Sequence, residues 1–367
     1  MIVAGLGAAG SATLFHLAGR GVPVLGIDQF DPPHTRGSSH GQTRIIREAY
    51  WERPLYVPLV RRAYHCWQLL SEASGVPIYR RTGGLMLGPA DGAIVSGSLA
   101  SARAHGITHE ILTAAEVRRR FPGFTPPEDF HALWEERAGV IFPEAAIVAQ
   151  IDLARRNEAV VQVGVRVLGW SADRSRVRIE TTAGSIEAGM LVLTAGPWSG
   201  GLAGVPRQVF QVERQFYHCF KPTIDTGGWP IALWEYRPGS QVYTVPEGPG
   251  RVKAGIHHEG SRVDPDAVNR EVESDERVRQ LLDSLQPGAA GPLLESAVCL
   301  YTNTPDRDFV IDRHPDHENV LVVSACSGHG FKFTSAIGEI VADLVTNGRS
   351  SFDLSPFSLG RFARYPA

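Results

Sequence analysis

The chain opens on Ile2-Val3-Ala4 and turns through Gly5-Leu6-Gly7-Ala8-Ala9-Gly10. A helix-forming stretch from Ser11 to Gly19 leads into Val22-Pro23-Val24-Leu25-Gly26-Ile27-Asp28. Strand, glycine turn, helix and a second strand ending in an acid make a βαβ unit. Twenty-three positions separate Gly5 from Asp28, close to the spacing of a dinucleotide-binding fingerprint. Gly5 permits the tight turn, Gly7 lets the backbone approach a pyrophosphate, and Gly10 lets helix and strand pack closely. The helix N-terminal amides meet phosphate charge, while Asp28 accepts hydrogen bonds from ribose hydroxyls. These residues specify an α/β fold and an adenine dinucleotide, either NAD or FAD.

Two more apolar runs stop at glycine turns. Met190-Leu191-Val192-Leu193-Thr194 ends at Ala195-Gly196-Pro197-Trp198, and Val320-Leu321-Val322-Val323-Ser324 ends at Ser327-Gly328-His329-Gly330. Both fit buried parallel strands. Ligands in open α/β sheets lie beyond the carboxyl ends of the strands, so the three turns predict one shared crevice. Helices are expected over Tyr56–Ala73 and Thr334–Thr346, and alternating strands over Arg174–Glu187. Residues Gln208 to His258 are rich in aromatics and β-formers and predict an antiparallel sheet, followed by an amphipathic helix over Arg270–Leu285.

With 367 residues the chain has room for two domains. A net charge of −3 lacks the basic surplus of a nucleic-acid binder. No apolar run reaches the roughly 18 residues that span a bilayer, and the first residues lack a secretory n-region. The four cysteines (Cys66, Cys219, Cys299, Cys326) form no C-x-x-C, so neither a disulfide scaffold nor a metal site is expected. Tyr365-Pro366-Ala367 is no peroxisomal address, and a cytoplasmic location is expected. Only Lys221, Lys253 and Lys332 are lysines, against 33 arginines. A chain so biased has kept lysine where a compact ammonium matters, or on the surface by chance.

Reactive side chains concentrate in Gly37–Arg47 and in Val252-Lys253-Ala254-Gly255-Ile256-His257-His258. As a strand, the second stretch puts Lys253, Gly255 and His257 on one face. Gly255 there leaves room for a flat ring to approach. The alternative is a solvated polar face.

Five segments carry a resemblance: Gly5–Gly10, Phe30-Asp31-Pro32-Pro33-His34, Ser39-His40-Gly41-Gln42-Thr43-Arg44-Ile45-Ile46-Arg47, Ala297-Val298-Cys299-Leu300-Tyr301-Thr302 and Ser327-Gly328-His329-Gly330-Phe331-Lys332-Phe333. In order and spacing, as far as about Pro356, they resemble the monomeric sarcosine oxidase family, with its N-methyltryptophan and pipecolate oxidases. The resemblance implies FAD, bound covalently through a Cys299 thioether. That chemistry needs a thiol at the ring edge and partly ionised. It implies a Rossmann-like FAD-binding domain of residues 1–82, 140–206 and 305–367. Beside it is expected an α+β substrate domain, residues 83–139 and 207–304, on a mixed or antiparallel sheet. Gly5, Gly7, Gly10, Asp28, Ser39, His40, Thr43, Gly196, Gly328, His329 and Gly330 would contact the cofactor. Arg47 and Lys332 match the carboxylate-holding cations and Tyr243 a pocket residue. Lys253 matches the lysine that activates oxygen, Arg44 its neighbour, and His257 and Tyr301 the residues that orient the amine. The implied reaction oxidises a secondary (N-methyl or cyclic) amino acid to an imine, which then hydrolyses, as O2 becomes H2O2. A monomer acting on a small molecule is expected.

The chain departs from that family at Trp229–Pro238, where two tryptophans and a tyrosine imply a reshaped or larger pocket, and at Glu48–Arg53. Rival readings are a dehydrogenase passing electrons to a carrier, a catalytically silent flavoprotein and, from the βαβ unit alone, an NAD dehydrogenase.

Overall fold

The computed structural model describes residues 1–363, the Arg207 side chain excepted, so the terminus Tyr365-Pro366-Ala367 lies outside the described residues. One six-stranded sheet runs in the order Val310–His314, His317–Ser324, Leu191–Leu193, Ile2–Ala4, Leu25–Ile27, Val160–Gln162. Every neighbouring pair is parallel except the first. Both faces of its central strands Ile2–Ala4 and Leu191–Leu193 are covered, which is why these are continuously apolar. Val3, Val192 and Leu321 pack with the helices Ala8–Ala18, Val57–Ser74, Pro143–Arg156 and Thr334–Thr346. Ile2, Leu191 and Val320 face a three-stranded antiparallel sheet of Val167–Ala172, Val177–Thr181 and Gly184–Ala188. At the first turn Gly5 has φ +97°, and a Cβ there would lie 2.5 Å from the Thr194 carbonyl oxygen. On Gly10 it would lie 1.7 Å from the Gly5 oxygen, so helix and strand touch backbone to backbone.

The second sheet is mixed and has nine strands. Gly84–Pro89 pairs parallel with Ile231–Arg237, and the remaining pairs are antiparallel. Its outer face is closed by the helix Glu276–Leu285, whose Leu282 and Leu285 share a core with Trp234, Val242 and Val252. That helix starts six residues later than the sequence pattern suggests. The preceding segment is drawn off into bridges: Arg270 donates to the carbonyls of Thr35 and Arg36, and Glu273 pairs with Arg214.

The expectation of a pocket reshaped by Trp229–Pro238 is overturned. Trp229 and Trp234 are buried in the outer core, donating to the Pro122 carbonyl and the Gln286 side chain at 3.0 Å each. Tyr236 packs against the same core and donates to Glu259. Side chains alternate across a strand, so Trp234 and Tyr236 point away from Leu233, the one residue of the stretch that lines the cavity described below. Among the described residues no helix is long and apolar enough to cross a membrane.

Candidate active site

The carboxyl ends of the parallel strands open into one cavity of about 870 Å³, lined by Gly5, Gly7, Asp28, Gly196, Gly328 and Gly330 among others. The Asp28 carboxylate is buried and accepts from the backbone N–H of Leu6 (2.7 Å) and Phe30 (2.8 Å). Ser39 Oγ accepts from Ala8 N–H at 3.2 Å, at the first turn of the Ala8–Ala18 helix. That terminus is open, since a Cβ on Gly7 would meet only Ser39 Oγ, at 3.4 Å. A Cβ on Gly196 would meet nothing within 4 Å among the described residues, and Ser38 Oγ, buried on the cavity wall, has no hydrogen-bond partner among them. An open helix N-terminus, glycine clearances and an orphan hydroxyl fit a bound dinucleotide. Gly10 and His40 do not line the cavity: Gly10 sits behind the turn, and His40 packs beside Tyr217 with its ring held neutral, burial pushing its pKa down to about 3.

The inner face of the nine-stranded sheet supplies the other wall. Lys253 is 3% exposed and donates to the carbonyls of Gly41 and Thr43 at 2.7 Å each and to Thr43 Oγ1 at 2.5 Å. Burial lowers its pKa to about 8, and Glu247, 3.3 Å away, opposes that fall. Burial alone would raise the Glu247 carboxyl, but Lys253, Thr43 and Arg251 outweigh it and hold the carboxyl below its usual range. The room at Gly255 is taken by the Tyr243 ring: a Cβ there would sit 2.7 Å from its hydroxyl and 2.9 Å from its Cζ. His257 Nδ1 lies 3.0 Å from the Tyr301 hydroxyl, and burial keeps this imidazole neutral. His258 does not line the cavity and lies 3.8 Å from Glu213.

Arg44 donates to the carbonyls of Thr43, Ser38 and His40 and stands 3.7 Å from Cys299 Sγ. Cys299 is 7% exposed and lines the cavity. Burial raises its thiol and Arg44 opposes the rise, yet the balance stays above the ordinary value, so these residues alone do not supply a partly ionised thiol. Cys66 and Cys219 are buried with their thiols pushed up to about 12 and read as packing. Cys326, half-buried on the cavity wall, accepts from the Thr302 N–H through its sulfur.

Two cations from opposite ends of the chain complete the wall. Arg47 leaves the short strand Arg44–Ile46 into a loop pinned by Glu135, which accepts from the N–H groups of Glu48 and Ala49. Its guanidinium forks onto Glu52 at 2.7 and 2.9 Å and lies 4.5 Å over the Tyr50 ring. Lys332, 6% exposed, donates to the His329 carbonyl at 2.6 Å, and burial lowers its pKa to about 7. His329 in turn meets the Tyr50 hydroxyl through Nδ1 at 2.5 Å. Lys221 is exposed and outside the cavity.

Sequence reasoning missed Glu52 and Glu247, the counter-ions of two predicted cations. Counting by two from Tyr243 puts Glu247 on the Lys253 face, and Glu52 lies five residues beyond Arg47. Replacing Glu52 by glutamine is expected to lower thermal stability, because Arg47 loses a buried partner. It should tighten binding of a simple carboxylate such as propionate about tenfold or more, since a competing carboxylate has gone. Unchanged propionate affinity, measured by calorimetry, would refute a carboxylate site at Arg47.

Fold and site together define a dinucleotide-binding α/β protein whose crevice opens into a cation-walled chamber. The chain belongs to the family described as FAD dependent oxidoreductase, which matches residues 1–344. It is 40% identical to monomeric sarcosine oxidase of Streptomyces avermitilis over 382 aligned positions, covering 100% of this chain and 98% of the relative. It is 36% identical to N-methyl-L-tryptophan oxidase of Salmonella heidelberg, covering 99% of each. The fold matches that of NikD, an amino acid oxidase of nikkomycin biosynthesis, with a TM-score of 0.87, 24% identity and 97% and 96% of the two chains covered. L-proline dehydrogenase from P. horikoshii shares the fold at a TM-score of 0.85 and 22% identity, covering 99% of this chain and 97% of that one.

Proposed function

We propose that this FAD-dependent oxidoreductase oxidises a secondary amino acid, N-methylated or cyclic, at a carbon bonded to nitrogen. The amine loses two hydrogens to become an imine, water hydrolyses the imine, and O2 takes up two electrons and two protons to become H2O2. The reading rests on the convergence of Arg47 and Lys332 on one cavity, together with His257 and Tyr301. The names of the sarcosine and N-methyl-L-tryptophan oxidases support it.

When bound, FAD supplies the two-electron acceptor. Gly5, Gly7, Asp28, Ser39, Thr43, Gly196, Gly328, His329 and Gly330 would hold it, with Gly10 and His40 shaping the site from behind. Arg47 and Lys332 take the substrate carboxylate, and fixing that end orients the amine. His257 keeps a neutral ring with Nδ1 engaged by Tyr301, leaving Nε2 to meet the amine or hold its proton. Tyr243 packs the pocket. Lys253, with Arg44 nearby, keeps an ammonium where negative charge develops on oxygen. The segments 1–82, 140–206 and 305–367 would form the cofactor domain and the remainder the substrate domain, in a cytoplasmic monomer.

One observation favours a second reading, a dehydrogenase serving an electron carrier: Glu247 partly offsets the Lys253 charge. Stoichiometric peroxide from sarcosine or pipecolate under air supports the oxidase. Turnover with a dye but not with oxygen overturns it in favour of the dehydrogenase. The covalent link has its own test. Cys299→Ser protein is expected to release all its flavin into the acid supernatant, whereas wild type keeps it in the pellet. Flavin pelleting with the variant would refute Cys299 as the attachment point.

A further inference from the structure

One wall of the cavity carries a polar group that neither the fold nor the proposed reaction uses. Gln241 lies on the strand Ser240–Gly248, directly opposite His257 in the antiparallel ladder, and both line the cavity. Opposed residues in such a ladder share a face with Cβ atoms roughly 5 Å apart. The Gln241 side chain is 8% exposed, and among the described residues its amide makes no hydrogen bond. Glu235, its partner on the neighbouring strand, sends its carboxylate instead to the backbone N–H of Ile94 at 3.0 Å. The amide is accessible from the cavity and no protein group among the described residues competes for it, so its donor and its acceptor are both open to what enters there.

The surroundings restrict what that is. Leu233 and Trp51 line the same cavity as apolar surface. Arg47 and Lys332 are taken up by the substrate's own carboxylate in the proposed reaction, and Lys253 is held by Gly41, Thr43 and Glu247. A second charge on the substrate would compete for these groups, whereas a neutral donor–acceptor group matches an amide that both donates and accepts. We infer that Gln241 forms a side-chain subsite, and that the amino acid taken by this cavity carries a neutral hydrogen-bonding side chain of carboxamide or hydroxyl type. The inference rests on the amino-acid reading of the cavity and adds the class of side chain.

The test uses FAD-loaded enzyme and three carboxylates without an amine. These are succinamate, its near-isostere 4-methylpentanoate and its charged counterpart succinate, with dissociation constants read from perturbation of the flavin absorbance. Succinamate is expected to bind about tenfold or more tighter than 4-methylpentanoate, because a site built to hydrogen-bond rejects an analogue lacking the group. It should also bind tighter than succinate. In both Gln241→Leu and Gln241→Met the preference for succinamate over 4-methylpentanoate should collapse, so the result does not hang on one variant folding. Equal affinities in wild type, a preference for succinate, or a preference that survives both substitutions overturns the proposal. So does a shifted resting flavin spectrum with ligand preference intact, which would place the amide against the cofactor. Oxidation of sarcosine, N-methylasparagine, N-methylserine and N-methylleucine by the same preparation separates the two readings. Turnover without side-chain preference refutes the subsite alone, and preference without turnover supports the subsite while refuting the reaction.

Discussion

Replacing Lys332 by methionine is expected to weaken binding of a simple carboxylate on the order of 100-fold, the scale of losing one partner of a buried, hydrogen-bonded charge pair. The wild-type affinity should also depend on pH in a definite direction. Burial depresses the Lys332 ammonium to about 7, Arg47 adds to the depression and Glu52 opposes it. Its charge is therefore fully present below that value and lost as pH rises through it. Carboxylate affinity should fall across the same interval. Because a bound anion favours the charged form, binding above neutrality should take up a proton. Calorimetry in two buffers of different ionisation enthalpy reads this uptake directly, and the Lys332→Met protein should show none. Wild-type affinity that is flat through neutrality, with no proton uptake, would remove Lys332 from the anion site.

The second large effect is expected at Lys253. Methionine there should slow reoxidation of the reduced enzyme by O2 by about 10²–10³-fold, the usual cost of deleting one preorganised electrostatic donor. The anaerobic reductive half-reaction with an N-methyl amino acid should change far less. Stopped-flow absorbance separates the two phases. Lys332→Met should show the reverse pattern, with reduction impaired and reoxidation spared. Equal slowing of both phases in both variants would undo this division of labour. Position matters as much as charge: three protein oxygens already accept from the Lys253 ammonium. The charge is thus fixed in place before oxygen arrives, and little reorganisation remains at the moment of reaction.

Much of this arrangement was legible in the chain because its physical causes are local. Gly5 and Gly10 sit where a side chain would strike backbone, and such positions announce themselves as glycines within a strand-turn-helix pattern. The scarcity of lysine drew attention to all three, and the resemblance set Lys253 and Lys332, both buried on the cavity wall, apart from the exposed Lys221. What stayed hidden depends on tertiary pairing. Glu247 and Glu52 look like ordinary acids until folding sets them against cations, and acids are common enough that spacing alone does not single them out. The aromatic stretch from Trp229 misled because composition does not say which face of a strand is inward. Trp234 fills the outer core simply because Leu233 faces the cavity. The late start of the Glu276–Leu285 helix has a similar origin, since Arg270 and Glu273 are claimed by distant partners before the helix can use them.

The interleaving of the two sheets also bears on biosynthesis. The strand Ile2–Ala4 lies between Leu25–Ile27 and Leu191–Leu193, and the chamber closes only with residues as late as Thr334. On the ribosome, Ile2–Ala4 must therefore wait until Leu191–Leu193 has been made before it gains its second neighbour. A nascent or truncated chain ending before Ser327 lacks Lys332 and the last glycine turn, and so has no complete berth for the coenzyme. Flavin capture is consequently a late, essentially post-translational event, and a prematurely stopped product should emerge colourless.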